Sequence, residues 1–198
     1  MKRMLFIDRD GTIISEVPDE TIDTMDKLSL LPAVIGALRD IVKYTDYELV
    51  MVSNQDGLGR QDFPEERFWT PHNFLIDLLK KEGIEFSDIL IDGHYEEENS
   101  PMRKPNTGMM TKYMNADHDL GNSYVIGDRE SDMQLAKNLH SKSIFIGTSH
   151  PDADLATTSW SEIRDFLVKP MRIASVRRKT NETDISIKVD NDGSGRSN

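Results

Sequence analysis

Residues 4–12 read MLFIDRDGT, an apolar run that ends in two aspartates one residue apart and then a glycine turn. A continuous apolar run bounded by such a turn is typical of a strand buried on both faces of a parallel sheet. Because side chains alternate along a strand, Asp8 and Asp10 are expected to point the same way at its carboxyl end. Ligands usually bind at that edge of an open parallel sheet.

The two carboxylates are also costly. An aspartate after a strand is commonly a turn former, so Asp8 and Asp10 alone leave a structural role open. Two like charges at a buried strand end are unfavourable, however, unless a cation or a shared proton relieves them. The pair therefore predicts a metal ion at this site.

Composition narrows the classes of protein. The 198 residues fit one ordinary domain plus an appendage. There is no cysteine, which excludes disulfides, thiolate metal sites and Cys nucleophiles and indicates a reducing cytoplasm. The net charge of -11 argues against binding to nucleic acid or an anionic membrane. The first apolar run is too short for a signal peptide or a membrane span. We expect a cytoplasmic protein that binds neither nucleic acid nor a membrane.

Further apolar runs alternate with helical patterns along the chain. Residues 13–30 mix apolar residues with acids and predict a short flap. Strands followed by helices predict an α/β fold, a doubly wound parallel sheet with helices on both faces and no large cap domain. Strand patterns lie at 48–52, 86–91, 123–127 and 143–147, and helical spacing lies at 32–44, 74–81, 109–113 and 129–139.

Polar residues occur near the ends of four predicted strands. Taken alone, each set has an ordinary explanation as a turn, a solvated cation or a helix cap. The spacing assigns each set to a different strand of one sheet edge, so together they predict one catalytic crevice. The sets are Asp8 with Asp10, Ser53 with Asn54, Arg103 with Lys104, and Asp128 with Asp132.

In this order the four sets resemble the motifs of the haloacid dehalogenase-like phosphohydrolases, over residues 4 to about 147. The resemblance extends further, to the histidinol-phosphate phosphatase half of bifunctional histidine-biosynthesis enzymes. It implies a Mg²⁺-dependent phosphomonoester hydrolase that converts histidinol phosphate to histidinol and phosphate. The stretches that carry it are FIDRDGTII at 6–14, SNQDGLG at 53–59, RKP at 103–105 and YVIGDR at 124–129.

The resemblance implies roles for four aspartates. Asp8 would attack phosphorus and form an aspartyl phosphate that water then hydrolyses. Asp10 would protonate the departing alkoxide and later deprotonate the attacking water. Mg²⁺ would be held by Asp8, the backbone carbonyl of Asp10 and Asp128 in an octahedral shell of oxygens. Asp132 would lie outside that shell and orient metal waters or Lys104.

The phosphate would be held by residues of the second and third strand ends. Lys104 would supply a cation to the phosphate and to Asp8, and Arg103 is a further candidate for phosphate binding. Ser53 would supply a hydroxyl and Asn54 a backbone donor to the phosphate oxygens. The partner implied is therefore a small phosphorylated substrate.

Substrate choice is open at this point. Glu16 and Gln55 are candidates to receive the amino group of histidinol, although Glu16 fits a solvated flap residue equally well. A sugar bisphosphate phosphatase of the same group would share all four motifs. A phospho-accepting receiver domain also uses clustered aspartates, Mg²⁺ and a lysine, but the general acid two residues from the nucleophile favours turnover. The intact motif set argues against a noncatalytic binding domain.

One loop departs from the family pattern. Relatives with a zinc loop carry Cys-x-His-(x5)-Cys-x-Cys before Arg-Lys-Pro, and the matching residues here are Asp92, His94, Ser100 and Met102. Three of the four ligands are absent, so we predict no zinc and a loop held by its own packing and hydrogen bonds.

The last residues differ in texture from the rest. Residues 172–177 and 184–189 alternate apolar and polar residues as strands do, and residues 177–185 resemble the start of the imidazoleglycerol-phosphate dehydratase half. We therefore divide the chain into a phosphatase domain at 1–168 and a linker with the start of a truncated dehydratase domain at 169–198. Self-association is expected only through the dehydratase domain of a full-length protein.

Overall fold

The computed structural model describes residues 1–168 and the backbone of two later strands. Six parallel strands form one sheet in the order β3-β2-β1-β4-β5-β6, with β1 at an inner position. The predicted α/β fold is thereby confirmed. The strands are β1 Arg3–Ile7, β2 Tyr47–Asn54, β3 Phe86–Asp92, β4 Tyr124–Gly127, β5 Lys142–Ile146 and β6 Leu155–Thr157.

Helices cover both faces of this sheet. The apolar residues of α1, α2 and α4 pack in one core with Leu5 and Ile7, whereas those of α3 pack in a second core with Met4 and Phe6. The alternation along β1 therefore supplies both cores, as a strand buried on two faces requires. The helices are α1 Val34–Tyr44, α2 Glu65–Lys81, α3 Glu130–Asn138 and α4 Trp160–Leu167.

Four elements differ from the sequence prediction. Helix α2 begins at Glu65, well before the predicted residue 74. The sequence pattern does not show these first turns because they are mostly polar and contain Pro71. The stretch at 109–113 forms a 3₁₀-helix, Gly108–Tyr113, in place of an α-helix. Strand β6 was missed because it has only three residues, and helix α4 was missed as well.

The flap at 13–30 is a short two-stranded loop. Ser15 N donates to Ser29 O at 2.7 Å, Leu31 N donates to Ile13 O at 3.0 Å, and Ile14 pairs with Leu30. Residues 11–33 contain no inserted cap domain between β1 and α1. The edge of the sheet beyond Asp10 is therefore covered only by this flap and by loops.

The two later strands, β7 Ile173–Lys179 and β8 Asp184–Asp190, pair antiparallel in a separate sheet. They agree with the strands predicted there. The predicted linker after residue 168 and the predicted turn-rich end at 190–198 lie almost wholly outside the described residues. Across the described part of the chain, every helix is too short or too polar to cross a bilayer.

Helix α4 is tied to the aspartate motif by one buried hydrogen bond. Trp160 Nε1 donates to the carbonyl oxygen of Thr12 at 2.7 Å, and Trp160 is only 2% exposed. A tryptophan in a core needs such a partner for its N–H. The bond fixes the turn that follows Asp10.

Trp160→Phe is expected to lower the free energy of unfolding by about 1–3 kcal/mol, because it leaves the Thr12 carbonyl buried without its donor. Urea denaturation measures the change. Trp69→Phe is the matched control, since Trp69 is only half-buried. Equal stability losses for the two variants would contradict the role assigned to the Trp160 bond.

Candidate active site

The site begins where β1 ends. Asp8 N donates to Ile126 O at 2.9 Å, which continues the pairing of β1 with β4 by one residue. The chain then turns at Gly11, whose φ is +67° and whose missing Cβ makes room for the carboxylate of Asp128. A side chain at Gly11 would collide with that carboxylate. The glycine therefore brings the ends of β1 and β4 together.

A buried lysine lies at the centre of the site. Lys104 Nζ is 2.8 Å from Asp8 Oδ1, 2.7 Å from Asp132 Oδ1 and 3.0 Å from Val52 O. Lys104 is 4% exposed and Asp132 is 1% exposed. Burial alone would lower the pKa of Lys104, but the carboxylates of Asp132 and Asp8 outweigh it and raise that pKa above its ordinary value. Lys104 is therefore a permanent cation.

Asp132 serves this lysine and the start of helix α3. Its Oδ2 accepts from Arg129 N at 3.2 Å, while its Oδ1 accepts from Lys104 Nζ. The absence of a side chain at Gly127 is what admits the Asp132 carboxylate there. Both oxygens of Asp132 are thus engaged by protein donors.

Three carboxylates cluster beside Lys104. Oxygens of Asp8, Asp128 and Asp132 all lie within 4.8 Å of one another. Burial, then the charges of Asp8 and Asp132, raise the pKa of Asp128 to about 7. Thr12 Oγ1, at 3.4 Å, is a weak donor to Asp128 Oδ1. A hard divalent cation suits this all-oxygen set, because it would relieve the repulsion.

Asp8 and Asp128 fit such an ion better than Asp132 does. Within the described residues, the donors to the Asp8 carboxylate all reach its Oδ1: Arg9 N at 2.7 Å and Lys104 Nζ. Its Oδ2 therefore remains available. Asp132 has both oxygens engaged. Its position agrees with the predicted role in orienting Lys104.

Asp10 faces the same cavity and is held from two sides. Arg9 Nη1 lies 3.2 Å from both Asp10 oxygens, and Gln55 Nε2 donates to Asp10 Oδ2. Gln55 also donates to Ser53 Oγ at 2.8 Å. Burial raises the pKa of Asp10, while the charge of Arg9 opposes that rise. Gln55, predicted as a substrate contact, thus links Asp10 to Ser53.

The side chain of Asn54 braces the loop that carries Lys104. Asn54 Oδ1 accepts from Lys104 N at 2.9 Å, and Asn54 Nδ2 donates to Lys104 O at 3.1 Å. This two-point contact ties the end of β2 to the third loop. It engages the Asn54 amide and leaves its backbone role a prediction.

The outer candidates are engaged in ion pairs at the rim. Arg103 pairs with Asp56 and donates to His94 O at 2.9 Å. Glu16 pairs with Arg129, which also lies 3.2 Å from Glu20. Arg103 and Arg129 line the cavity, whereas Glu16 is not among the lining residues and is connected to the cavity through Arg129.

The loop after β3 is organised by one carboxylate. Asp92 Oδ1 accepts from Ser100 Oγ at 3.1 Å and lies 2.9 Å from His94 Nδ1, and Asp92 Oδ2 accepts from His94 N at 3.1 Å. Ser100 Oγ in turn accepts from Met102 N at 3.2 Å. These hydrogen bonds join the side chains of Asp92, His94 and Ser100, which stand at three of the four zinc-ligand positions of the family pattern.

A cavity of about 1060 Å³ opens over these groups. Of the predicted site residues, Asp8, Asp10, Asn54, Gln55, Arg103 and Lys104 line it, whereas Ser53, Asp128 and Asp132 are not among its lining residues. Its wall further out is rich in carboxylates, among them Asp19, Glu20, Asp62 and Glu96.

Two contributors escaped the sequence analysis. Arg9 is fully buried behind Asp10, whereas no role was predicted from sequence for this residue of the opening motif. Arg129 follows Asp128 directly and anchors the flap through Glu16. Only the adjacency of both arginines to motif aspartates signalled a role.

Comparison with known proteins agrees with this arrangement. The HAD-hydrolase-like family model matches residues 101–169. The chain is 44% identical over 215 residues to the histidine biosynthesis bifunctional protein HisB of Spirosoma linguale, covering 99% of the chain and 56% of that protein. It is 45% identical over 205 residues to HisB of Bacteroides fragilis, covering 98% and 55%. The chain thus spans about half the length of these curated relatives.

The fold has a solved counterpart. The crystal structure of D,D-heptose 1,7-bisphosphate phosphatase from B. bronchiseptica aligns with a TM-score of 0.73 and 20% identity, over 84% of this chain and 98% of that one. At this identity the likeness concerns the fold alone. With the four motifs gathered at one sheet edge, the chain belongs to the haloacid dehalogenase-like hydrolases.

Proposed function

We propose that the chain hydrolyses a phosphomonoester through an aspartyl phosphate. The observation that carries this proposal is the buried contact of Lys104 Nζ with Asp8 at 2.8 Å, in a cavity that Asp10 also lines. A carboxylate is the side chain that forms an aspartyl phosphate, and the neighbouring lysine holds it in place. The same cation neutralises the phosphate that approaches it.

Asp8 and Asp10 divide the chemistry between them. Asp8 attacks phosphorus as the bond to the substrate's ester oxygen breaks, and Asp10 gives a proton to that oxygen. Asp10 then takes a proton from the water that attacks the aspartyl phosphate, which releases phosphate and restores Asp8. Ser53 and the Asn54 backbone are assigned to the phosphate oxygens, and Arg103 to the outer side of the phosphate.

We infer that Mg²⁺ is the cofactor, held by Asp8, the backbone carbonyl of Asp10 and Asp128. The crowded carboxylate oxygens and the raised pKa of Asp128 support a cation there. The heptose bisphosphate phosphatase of the same fold was crystallised with magnesium and phosphate. When bound, the ion would neutralise charge on the transferring phosphoryl group.

The substrate we favour is histidinol phosphate, in histidine biosynthesis. The relatives' names point to that pathway. The cavity is compatible with it, because Asp19, Glu20, Asp62 and Glu96 line its wall as carboxylates that an ammonium group can approach. Asp19 and Glu20 are already paired with Lys27 and Arg129, and Arg103 and Arg129 line the same cavity. The phosphate-release comparison therefore decides between histidinol phosphate and a sugar bisphosphate, the main alternative. Glu16 and Gln55 remain candidates for the amino group, and each must give up a present partner to bind it.

The remaining assignments follow the resemblance to HisB. We propose residues 1–168 as the phosphatase domain and residues 169–198 as a linker with the beginning of a dehydratase domain. Self-association through a complete dehydratase domain and a cytoplasmic location belong to the same proposal. No zinc is expected at 92–102, where Asp92, Ser100 and Met102 stand at the cysteine positions.

The reaction is tested by phosphate release with Mg²⁺ from histidinol phosphate and from several sugar phosphates and bisphosphates. Wild-type protein is expected to prefer histidinol phosphate. Asp8→Asn should lose more than about a thousandfold in rate, because it removes the nucleophile. Asp117→Asn is the matched control, since Asp117 is exposed and lies next to Lys2 at the opposite end of β1.

The outcomes separate two levels of the proposal. Equal or better turnover of a sugar bisphosphate would refute histidinol phosphate as the substrate and leave the hydrolase class standing. Wild-type turnover by Asp8→Asn would refute the mechanism.

The metal assignment is tested by thermal unfolding with and without Mg²⁺. Asp128→Asn is expected to weaken Mg²⁺ binding by more than about tenfold and so to remove most of the Mg²⁺-dependent rise in melting temperature. Asp117→Asn should keep it. A full rise in Asp128→Asn would contradict Asp128 as a ligand.

The pKa of Asp128 adds a pH dependence to that experiment. Without metal, the folded protein holds the Asp128 proton up to about pH 7, whereas the unfolded chain releases it near pH 3.8. Stability of the metal-free protein therefore falls as the pH rises through this window. Below pH 7 the proton competes with Mg²⁺. The melting shift caused by Mg²⁺ should be larger at pH 8 than at pH 5.5.

The loop assignment predicts that the Asp92 carboxylate does the work of the missing metal ion. Asp92→Ala should speed amide hydrogen exchange at 93–103 several-fold, because it removes three hydrogen-bond acceptor contacts. Asp117→Ala is the control, since Asp117 is exposed and lies next to Lys2 at the opposite end of the sheet. Stoichiometric zinc in wild-type protein, measured by elemental analysis, would contradict the assignment.

A further inference from the structure

The arginine between the two motif aspartates is unusual in its burial. Arg9 is 0% exposed, and among the described residues its Nε and Nη2 find no hydrogen-bond acceptor. Burying a guanidinium with most of its donors unmet is unfavourable. The fold alone gives no reason for it, since an apolar side chain would fill the same space. A buried charge retained at such a cost points to a role at the site.

The one charged contact of this arginine is with Asp10. Arg9 Nη1 lies 3.2 Å from Oδ1 and 3.2 Å from Oδ2, so it straddles the carboxylate. Gln55 Nε2 donates to Oδ2 alone. Within the described part of the chain, Oδ1 therefore has Arg9 as its sole protein donor and is the oxygen with room for a further partner.

A stack of rings holds Arg9 itself in place. Its guanidinium carbon lies 4.8 Å from the centroid of the Phe68 ring. The same ring stacks on His72 at 4.9 Å with an interplanar angle of 23°, and Phe63 and Trp69 meet it edge to face. Phe68 and His72 are both buried in helix α2. Burial and the charge of Arg9 lower the pKa of His72 to about 4, so the imidazole is neutral at pH 7 and adds no second charge.

We propose that Arg9 is a positioning residue that, with Gln55, fixes the Asp10 carboxylate so that Oδ1 faces the ester oxygen of the substrate. This inference rests on the proposed function, in which Asp10 protonates that oxygen. Proton transfer requires the acid within hydrogen-bond distance and in the right orientation. Helix α2 thereby contributes to catalysis through Phe68, although it touches no substrate.

The dependence of rate on leaving group tests this role. A simple alkyl phosphate needs a proton on its departing oxygen, whereas p-nitrophenyl phosphate releases an anion that is stable without one. The ratio kcat/KM is the measure to use, because it reports the steps up to formation of the aspartyl phosphate. It excludes the later hydrolysis, which Asp10 assists for every substrate.

Arg9→Met keeps the length of the side chain and removes its donors. Its kcat/KM is expected to fall about 10- to 100-fold for the alkyl phosphate and less than about threefold for p-nitrophenyl phosphate. Arg9→Lys, which retains one cationic donor, should fall between wild type and Arg9→Met for the alkyl phosphate. Arg3→Met is the matched control, because Arg3 also stacks on an aromatic ring and pairs with an aspartate, Asp46, but lies at the start of β1, away from Asp10; its ratio between the two substrates should equal that of wild type.

Each result decides the proposal. If Arg9→Met keeps the wild-type ratio of kcat/KM between the two substrates, whether both values fall equally or neither falls, then Arg9 only supports the fold. If circular dichroism shows Arg9→Met to be unfolded, Arg9→Lys decides, and a wild-type ratio in that variant overturns the inference. Wild-type protein that releases phosphate from neither substrate nor from histidinol phosphate would instead refute the proposed function.

Discussion

The buried cation of Lys104 is the interaction on which the other charges of the site depend. Asp8 and Asp132 are both nearly inaccessible to water, and each would be strongly disfavoured as an anion without it. Lys104 neutralises one charge of the pair and leaves a net negative site, to which Asp128 adds another carboxylate. The remaining negative charge is what a divalent cation would balance. The proposed site would therefore have two sources of positive charge, the side chain of Lys104 and an exchangeable divalent cation.

Holding these charges in place requires two glycines and one amide. Gly11 and Gly127 leave room for the carboxylates of Asp128 and Asp132, so residues without side chains determine where charged groups lie. Asn54 fixes the backbone of Lys104 from both sides. Such preorganisation means that little rearrangement would be needed as negative charge develops on the departing ester oxygen.

The parts of the structure that sequence predicted are those with strong local patterns. Strand β1 alternates between two cores, and an apolar run followed by Asp8 and Asp10 is enough to specify it. Strand β6, with Leu155–Thr157 only half-buried for the most part, leaves no comparable run. The start of α2 was missed because its first turns are mostly polar and contain Pro71. The ring of Phe68 in these turns packs against Arg9.

Within the site, the residues proposed for the reaction and the support from Asp132 were predicted, whereas the contacts that Gln55 and Arg9 make with Asp10 were not. Asp8, Asp10, Lys104 and Asp128 carry chemistry that limits the choice of side chain. Gln55 and Arg9 act through Asp10, and the pairing depends on where β2 and α2 place them in space. No local pattern in sequence encodes such a contact between distant elements.

The loop without zinc ligands shows how such support can be exchanged. A metal ion holds a loop by gathering four side chains at fixed distances. Asp92 gathers His94 and Ser100 by hydrogen bonds, and Arg103 reaches from the end of that loop to Asp56 and to the His94 carbonyl. Hydrogen bonds to a buried carboxylate are individually weaker than metal bonds, so the loop needs several of them. Because Arg103 lines the cavity, the same bonds would also set the outer boundary of the proposed substrate site.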